Sequence, residues 1–201
     1  MFVAHTRRPL AFFTTVVAIL AAGSALPARA AVGRANFLSD NEQQFVNRAW
    51  DLNHEQIVLG KNVEHQAANP DVKAFGERMV AYHNIIGGDL KALTLQYRGT
   101  VPDQLGTEAR QVADRLAGLS GADFDRAYMR ATIDALTQSI SLFVRQANDV
   151  AQTPLDNWAG GVVPELRREL QAAQQLAREV GVPDDGAAIT ASHNEPANRV
   201  H

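Results

Sequence analysis

Apolar residues recur at three- and four-residue steps along four long stretches of this chain, the period that lines one face of an α-helix. The first stretch begins at Ser39, where Ser39-Asp40-Asn41-Glu42 has the spacing of a capping box, and continues through Phe45, Ala49, Leu52, Gln56, Leu59, Val63 and Ala67. Asn69-Pro70 ends this helix and starts the second, because proline is accepted at a first helical position but cannot extend a running helix. So short a turn makes the first two helices antiparallel neighbours. The second carries Val72, Phe75, Met79, His83, Ile86, Leu90, Leu93 and Tyr97 on one stripe, with Gly99 expected to close it. A third runs from about Ala122 to Asp149 through Phe124, Tyr128, Ala131, Leu136, Ile140, Phe143 and Ala147. The fourth starts at Thr153-Pro154, carries Leu155, Trp158, Val162, Leu166, Glu169, Ala173, Leu176 and Val180, and stops at Gly181.

Four such helices predict an all-α four-helix bundle. Between the second and third lies a connector, residues 100–120, with a short extra helix expected from about Thr107 to Leu119. A connector of that length can carry the chain back along the bundle and set the second and third helices parallel; simple up-and-down wiring is the alternative. Gly87-Gly88 sit one turn beyond His83, where each costs about 1 kcal/mol relative to alanine. They serve a close helix approach or a kink, or are tolerated weakness.

The two ends read differently. A basic start with Arg7-Arg8, an apolar centre of about a dozen residues and Ala28-Arg29-Ala30 make a secretory signal peptide, with cleavage expected after Ala30. Arg7-Arg8 leaves twin-arginine export of a folded protein open beside the ordinary route. Residues 182–201 are rich in Ala, Asn, Asp and Pro without apolar period and read as a disordered tail. The expected organisation is a signal peptide over 1–30, one bundle domain over 31–181 and the tail, in a periplasmic or secreted protein.

The chain has no cysteine, which excludes disulfides, thiol catalysis and zinc-thiolate sites together. Removing the signal leaves 16 basic against 22 acidic residues, a balance of −6 that argues against nucleic acid or anionic lipid as partner. No stretch of the mature chain is long and apolar enough to span a bilayer. A protein partner and the oligomeric state stay open.

Several strings carry a resemblance: Leu59-Gly60-Lys61, then Asn69-Pro-Asp-Val-Lys-Ala-Phe-Gly-Glu-Arg-Met-Val80 leading to His83, then Leu119-Ser-Gly-Ala-Asp-Phe-Asp-Arg-Ala-Tyr128, and Leu142-Phe143. Over roughly residues 37–180 the chain resembles a bacterial domain-of-unknown-function family of exported, ferritin-like helical bundles, often labelled membrane or outer-membrane proteins. The resemblance implies a fold and a compartment, and an interior with an acid on the first helix and a histidine on each of the other three. This chain departs from that pattern, with Gln56, Leu136 and Glu169 at three of those places; His83 alone is kept.

The residues themselves say the same. A ferritin-type di-iron centre needs several carboxylates and two Glu-x-x-His motifs, and this chain has none of the latter. His83, Glu169 and Gln56 are the candidate metal ligands, one imidazole, one carboxylate and one weak amide oxygen, a set for at most a single transition-metal ion. The same three residues also suit a buried polar cluster, with Glu169 accepting a hydrogen bond from His83. Glu55 points about 100° away from Gln56 around the helix, and His54 and His65 lie near the opposite, solvent face. Asp123, Asp125 and Asp134 read as a surface or capping set, and Trp158 by its phase as core. No nucleophile elbow, P-loop, dinucleotide fingerprint or triad is present. The expectation is a non-enzymatic exported module without a cofactor, acting in envelope stress or partner binding; the alternative is a ferritin-like metal-binding or oxidoreductase protein built around His83.

Overall fold

The computed structural model describes residues 37–183, so the expected signal peptide and all of the expected tail beyond residue 183 lie outside the described residues. Within that range the chain is all-helical, with five α-helices and no strand: α1 (Asp40–Gln66), α2 (Pro70–Gln96), α3 (Thr107–Ala117), α4 (Gly121–Ala147) and α5 (Pro154–Glu179). No helix there is long and apolar enough to cross a membrane.

Local chemistry sets the helix starts. Ser39 and Glu42 form a reciprocal capping box, with the Glu42 amide donating to Ser39 Oγ at 3.3 Å and the Ser39 amide to Glu42 Oε2 at 2.8 Å. Asn69 caps α2 ahead of Pro70, and Thr153 with Asp156 makes a second capping box ahead of Pro154 in α5. α5 stops at Gly181, which takes the left-handed φ of +80° that glycine adopts without strain. At the end of α2 the left-handed residue is Arg98, φ 53°, and not the expected Gly99. Gly99 is there for space: a Cβ on it would lie 2.5 Å from Leu38 Cδ1.

Helix direction follows from contacts at the two ends. Leu38 donates its amide to the Tyr97 carbonyl at 3.1 Å, so α1 and α2 are antiparallel. The Phe45 and Phe143 rings meet edge-on, with centroids 5.2 Å apart, near the start of α1 and the end of α4. At the other end the buried Asp125 carboxylate, near the start of α4, accepts the amides of Ala68 at 3.2 Å and Asn69 at 2.9 Å. α1 and α4 are therefore antiparallel, and α2 and α4 run parallel. Asp125 is thus no surface residue; it ties the α1–α2 turn to α4.

The parallel placement needs the connector to return along the molecule, and α3 does so against α1. Asp51 Oδ1 accepts the Gly106 amide at the start of α3 at 2.5 Å. Gln66 Nε2 donates to the carbonyls of Leu116, Ala117 and Leu119 at 3.1, 3.1 and 2.9 Å, closing its far end. A carboxylate meets the positive helix end and an amide donor the negative one, so both contacts agree with the helix dipole.

The core is shared by the four long helices. Phe45, Val46, Leu59, Phe75, Met79, Leu90, Phe124, Tyr128, Leu136 and Leu166 are among its buried members. α1 and α2 approach closely at Gly60, where a Cβ would lie 2.9 Å from the Gly76 carbonyl oxygen. The expected stripes hold for α1 and for most of α2. On α5 the buried line is Leu155, Ala159, Val163, Leu166, Ala173 and Leu176, so Trp158, Val162 and Glu169 stand at its edge. Trp158 is half-buried, its ring tilted against Phe143 at 5.5 Å.

Candidate functional site

His83 sits on the inward face of α2 with only 2% of its surface exposed. Its Nδ1 lies 2.9 Å from Oδ1 of Asn53 on α1. An amide oxygen only accepts, so Nδ1 carries the proton and Nε2 is left as the acceptor. Burial holds the ring well below the usual histidine range, at about 3, so the imidazole is neutral near pH 7. Gly87, one turn further along α2, makes the contact possible: a Cβ there would lie 2.7 Å from Asn53 Nδ2. Gly88 meets nothing within 4 Å, so the two glycines differ in kind.

Other polar side chains of α1 and α4 are buried as well. Gln56, one turn from Asn53 on α1, is fully buried, and α4 adds the buried Tyr128, Thr132 and Ser139. Asn53 Nδ2, both Gln56 amide atoms, His83 Nε2, Tyr128 Oη and Thr132 Oγ1 have no hydrogen-bond partner among the described residues. The Tyr128 and Thr132 hydroxyls, one turn apart on α4, sense each other without the alignment of a hydrogen bond. A space of about 10 Å³ beside His83, bounded by Asn53, Ser139, Phe143 and Leu166, is on the scale of one water molecule.

Glu169 is not His83's partner. It is half-buried at the edge of α5, and its charge is felt at two phenols. Burial, followed by the Glu169 charge, pushes Tyr82 above its usual range; Tyr128 is raised mainly by its complete burial. Among the described residues no group of three or more His, Asp or Glu side chains is arranged to hold a metal ion. One imidazole nitrogen, a carboxylate at the rim and a water-sized space do not fit the ligand set of a ferritin-type centre. His65 is exposed as expected, whereas His54 is half-buried, with its ring 4.5 Å from that of Trp50.

A second, larger site lies outside the core. α1, α3 and α4 enclose an open cleft of about 630 Å³, within the range of small-molecule pockets. Leu116, Leu119, Ala127, Ala131 and Ala135 give it an apolar wall, and Arg48, Glu55, Glu108, Arg115, Arg130 and Asp134 bring charge to it. Glu55 is 7% exposed, and its carboxyl is pushed up to about 7. Burial is the largest cause, followed by the Asp51 charge; Arg48 opposes it, Glu108 adds to it and Arg115 opposes it. Arg48 reaches Glu108 at 2.6 Å and Gln138 Oε1 at 2.6 Å, so it ties α1 to α3 and α4 along the cleft rim.

A family model described as a domain of unknown function, DUF4142, matches residues 27–176. The chain belongs to the DUF4142 family. No curated protein and no solved structure was matched. The match agrees with the resemblance carried by the second-helix string and the Phe-Asp-Arg-Ala-Tyr string. In this DUF4142 protein His83 and Gln56 are each buried, and Glu169 stands half-buried at the edge of α5. Sequence reasoning missed Asn53 and set Glu55 aside as pointing away from Gln56. Asn53 stands one turn before Gln56 on the same helix face, which was signal enough; Glu55 depends on α3 folding over it, which no local pattern announces.

Proposed function

We propose that this DUF4142 protein is an exported, ferritin-like four-helix bundle that works by binding, through the cleft between α1, α3 and α4, and not by redox chemistry in its interior. The parallel placement of α2 and α4, joined by a connector that returns along α1, supports the ferritin-like reading. The observation that carries the functional reading is the contrast between the two sites. The interior offers His83 a neutral amide partner and a space of about 10 Å³, while the cleft offers about 630 Å³ with a buried carboxyl on its wall. Binding energy gathers where shape, apolar surface and a few convergent polar groups coincide, and here that is the cleft. A role as an envelope module that engages a partner or small ligand follows from this reading.

A second reading rests on the unpartnered polar atoms of Gln56 and His83, which leave two interior donor sites for an ion if Glu169 swings inward. Calorimetric titration of tag-free mature protein with Fe²⁺, Mn²⁺ and Zn²⁺ separates the two readings. The first expects no stoichiometric uptake that depends on His83. One tightly held equivalent, lost in His83→Ala and in Glu169→Ala, would overturn it in favour of the second.

A further inference from the structure

We propose that the cleft takes a small amphipathic carboxylate, its head group held between the Glu55 carboxyl and the guanidiniums of Arg115 and Arg130, its hydrocarbon on the wall of Leu116, Leu119, Ala131 and Ala135. This rests on the reading of the cleft as the binding surface and names its ligand class.

The argument turns on which charges around Glu55 are already committed. On α1, Asp51 accepts the Gly106 amide, and Arg48 is bound to Glu108 of α3 and Gln138 of α4. On α4, Asp134 has an interaction of its own. Arg115 of α3 and Arg130 of α4 line the cleft and make no hydrogen bond or ion pair with another described residue. Glu55 is more than nine-tenths buried, faces the cleft, and likewise has no hydrogen bond or ion pair there. Two uncommitted guanidiniums that line one cleft with an uncommitted carboxyl select an anion whose oxygens can accept from both. Guanidinium matches a carboxylate in a planar, two-point fashion. The carboxyl contributes only when protonated, as a short O–H···O⁻ donor. Its protonation near neutral pH is favoured by burial and by Asp51 and Glu108, against Arg48 and Arg115. A cationic head group would instead meet the two free guanidiniums. The adjoining leucine and alanine side chains give a short alkyl chain an apolar surface to cover.

The sign of the pH dependence follows. The bound state needs the Glu55 proton, so affinity is highest below about pH 7 and falls above it. With the carboxyl at about 7, binding of an anion that stays ionised throughout weakens about tenfold between pH 6 and pH 8. Glu55→Gln keeps a donor at the same place without a titrating proton.

The experiment is calorimetric titration of the full mature chain with sodium octanoate at pH 6 and pH 8, with octylammonium as the charge-reversed probe. Amide spectra of Ala127, Ala131 and Ala135 locate the binding. Expected are one octanoate per chain at these residues, about tenfold weaker binding at pH 8, a flat pH profile in Glu55→Gln, and at least a tenfold loss in Arg115→Ala/Arg130→Ala at both pH values. Octanoate binding unchanged in the double arginine variant, or a pH dependence that survives in Glu55→Gln, overturns the proposal. If octylammonium and not octanoate shifts the cleft amides, the ligand class falls while the cleft reading stands. If neither shifts them, both fall.

Discussion

Asn53 Oδ1 accepts the Nδ1 proton of His83 across the α1–α2 interface at 2.9 Å, in a gap that Gly87 keeps open. The one histidine on an inward helix face is thereby held by an amide and not by a carboxylate. Without a negative neighbour to stabilise the imidazolium, burial dominates and the ring stays neutral. This pairing fixes Nδ1 as the donor and leaves Nε2 an acceptor without a partner among the described residues.

Removing the amide should be costly. Asn53→Ala leaves His83 Nδ1 buried without an acceptor, and we expect a loss of about 1–3 kcal/mol in urea unfolding at pH 7. Gly87→Ala should disturb the same contact from the other side, because its methyl meets Asn53 Nδ2. A combined loss equal to the sum of the two single losses would show that Gly87 and Asn53 act independently, against this account.

His83 also makes stability depend on acid. Its folded value of about 3 lies below the ordinary 6.5, so the unfolded chain binds the proton more readily between these values. The contribution is complete above about pH 6.5 and is lost as the pH falls from there towards 3, at up to about 1.4 kcal/mol per pH unit. Unfolding free energies of wild type and His83→Gln at pH 4.5, 5.5 and 6.5 should diverge in slope, with the variant shallower.

Glu55 acts in the opposite direction. Its folded value of about 7 lies above the ordinary 4.5, so the folded chain holds the proton more readily. Its contribution is fully present below about pH 4.5 and is lost as the pH rises to 7. Glu55→Gln should therefore gain on wild type by on the order of 1–3 kcal/mol at pH 8 relative to pH 4.5. Equal differences at both pH values would mean that Glu55 ionises normally. Between about 4.5 and 6.5 the two buried groups pull stability in opposite directions, which broadens the optimum.

The chain's own pattern revealed much of this. The capping box at Ser39, the Asn69-Pro70 break and the Thr153-Pro154 start are local signals, and they stand where expected. On α4 and α5 the buried line was harder to see, because it runs through Thr132, Ser139 and Ala159, residues too small or polar to mark a stripe. That is why Glu169 was placed inward by periodicity and stands at the rim. Glu55 points away from the core, and only the docking of α3 buries it.

That docking is itself testable. Asp51→Ala removes the acceptor at the start of α3, and Gln66→Ala the donor at its end. Each should cost about 1–2 kcal/mol of local stability. Amide hydrogen exchange should speed up across Thr107–Ala117 while α2 and α5 keep their protection. Uniform acceleration across all five helices would contradict the view that α1 clamps α3 locally.

The central claim, that the working surface is the cleft and not the interior, is tested most directly by amide spectra of isotope-labelled mature protein titrated in parallel with octanoate and with Zn²⁺. The account predicts octanoate shifts around Glu55, Leu116 and Ala131, with Asn53 and His83 unmoved by either probe. Saturable Zn²⁺ shifts centred on His83 and Gln56, with a silent cleft, would contradict it.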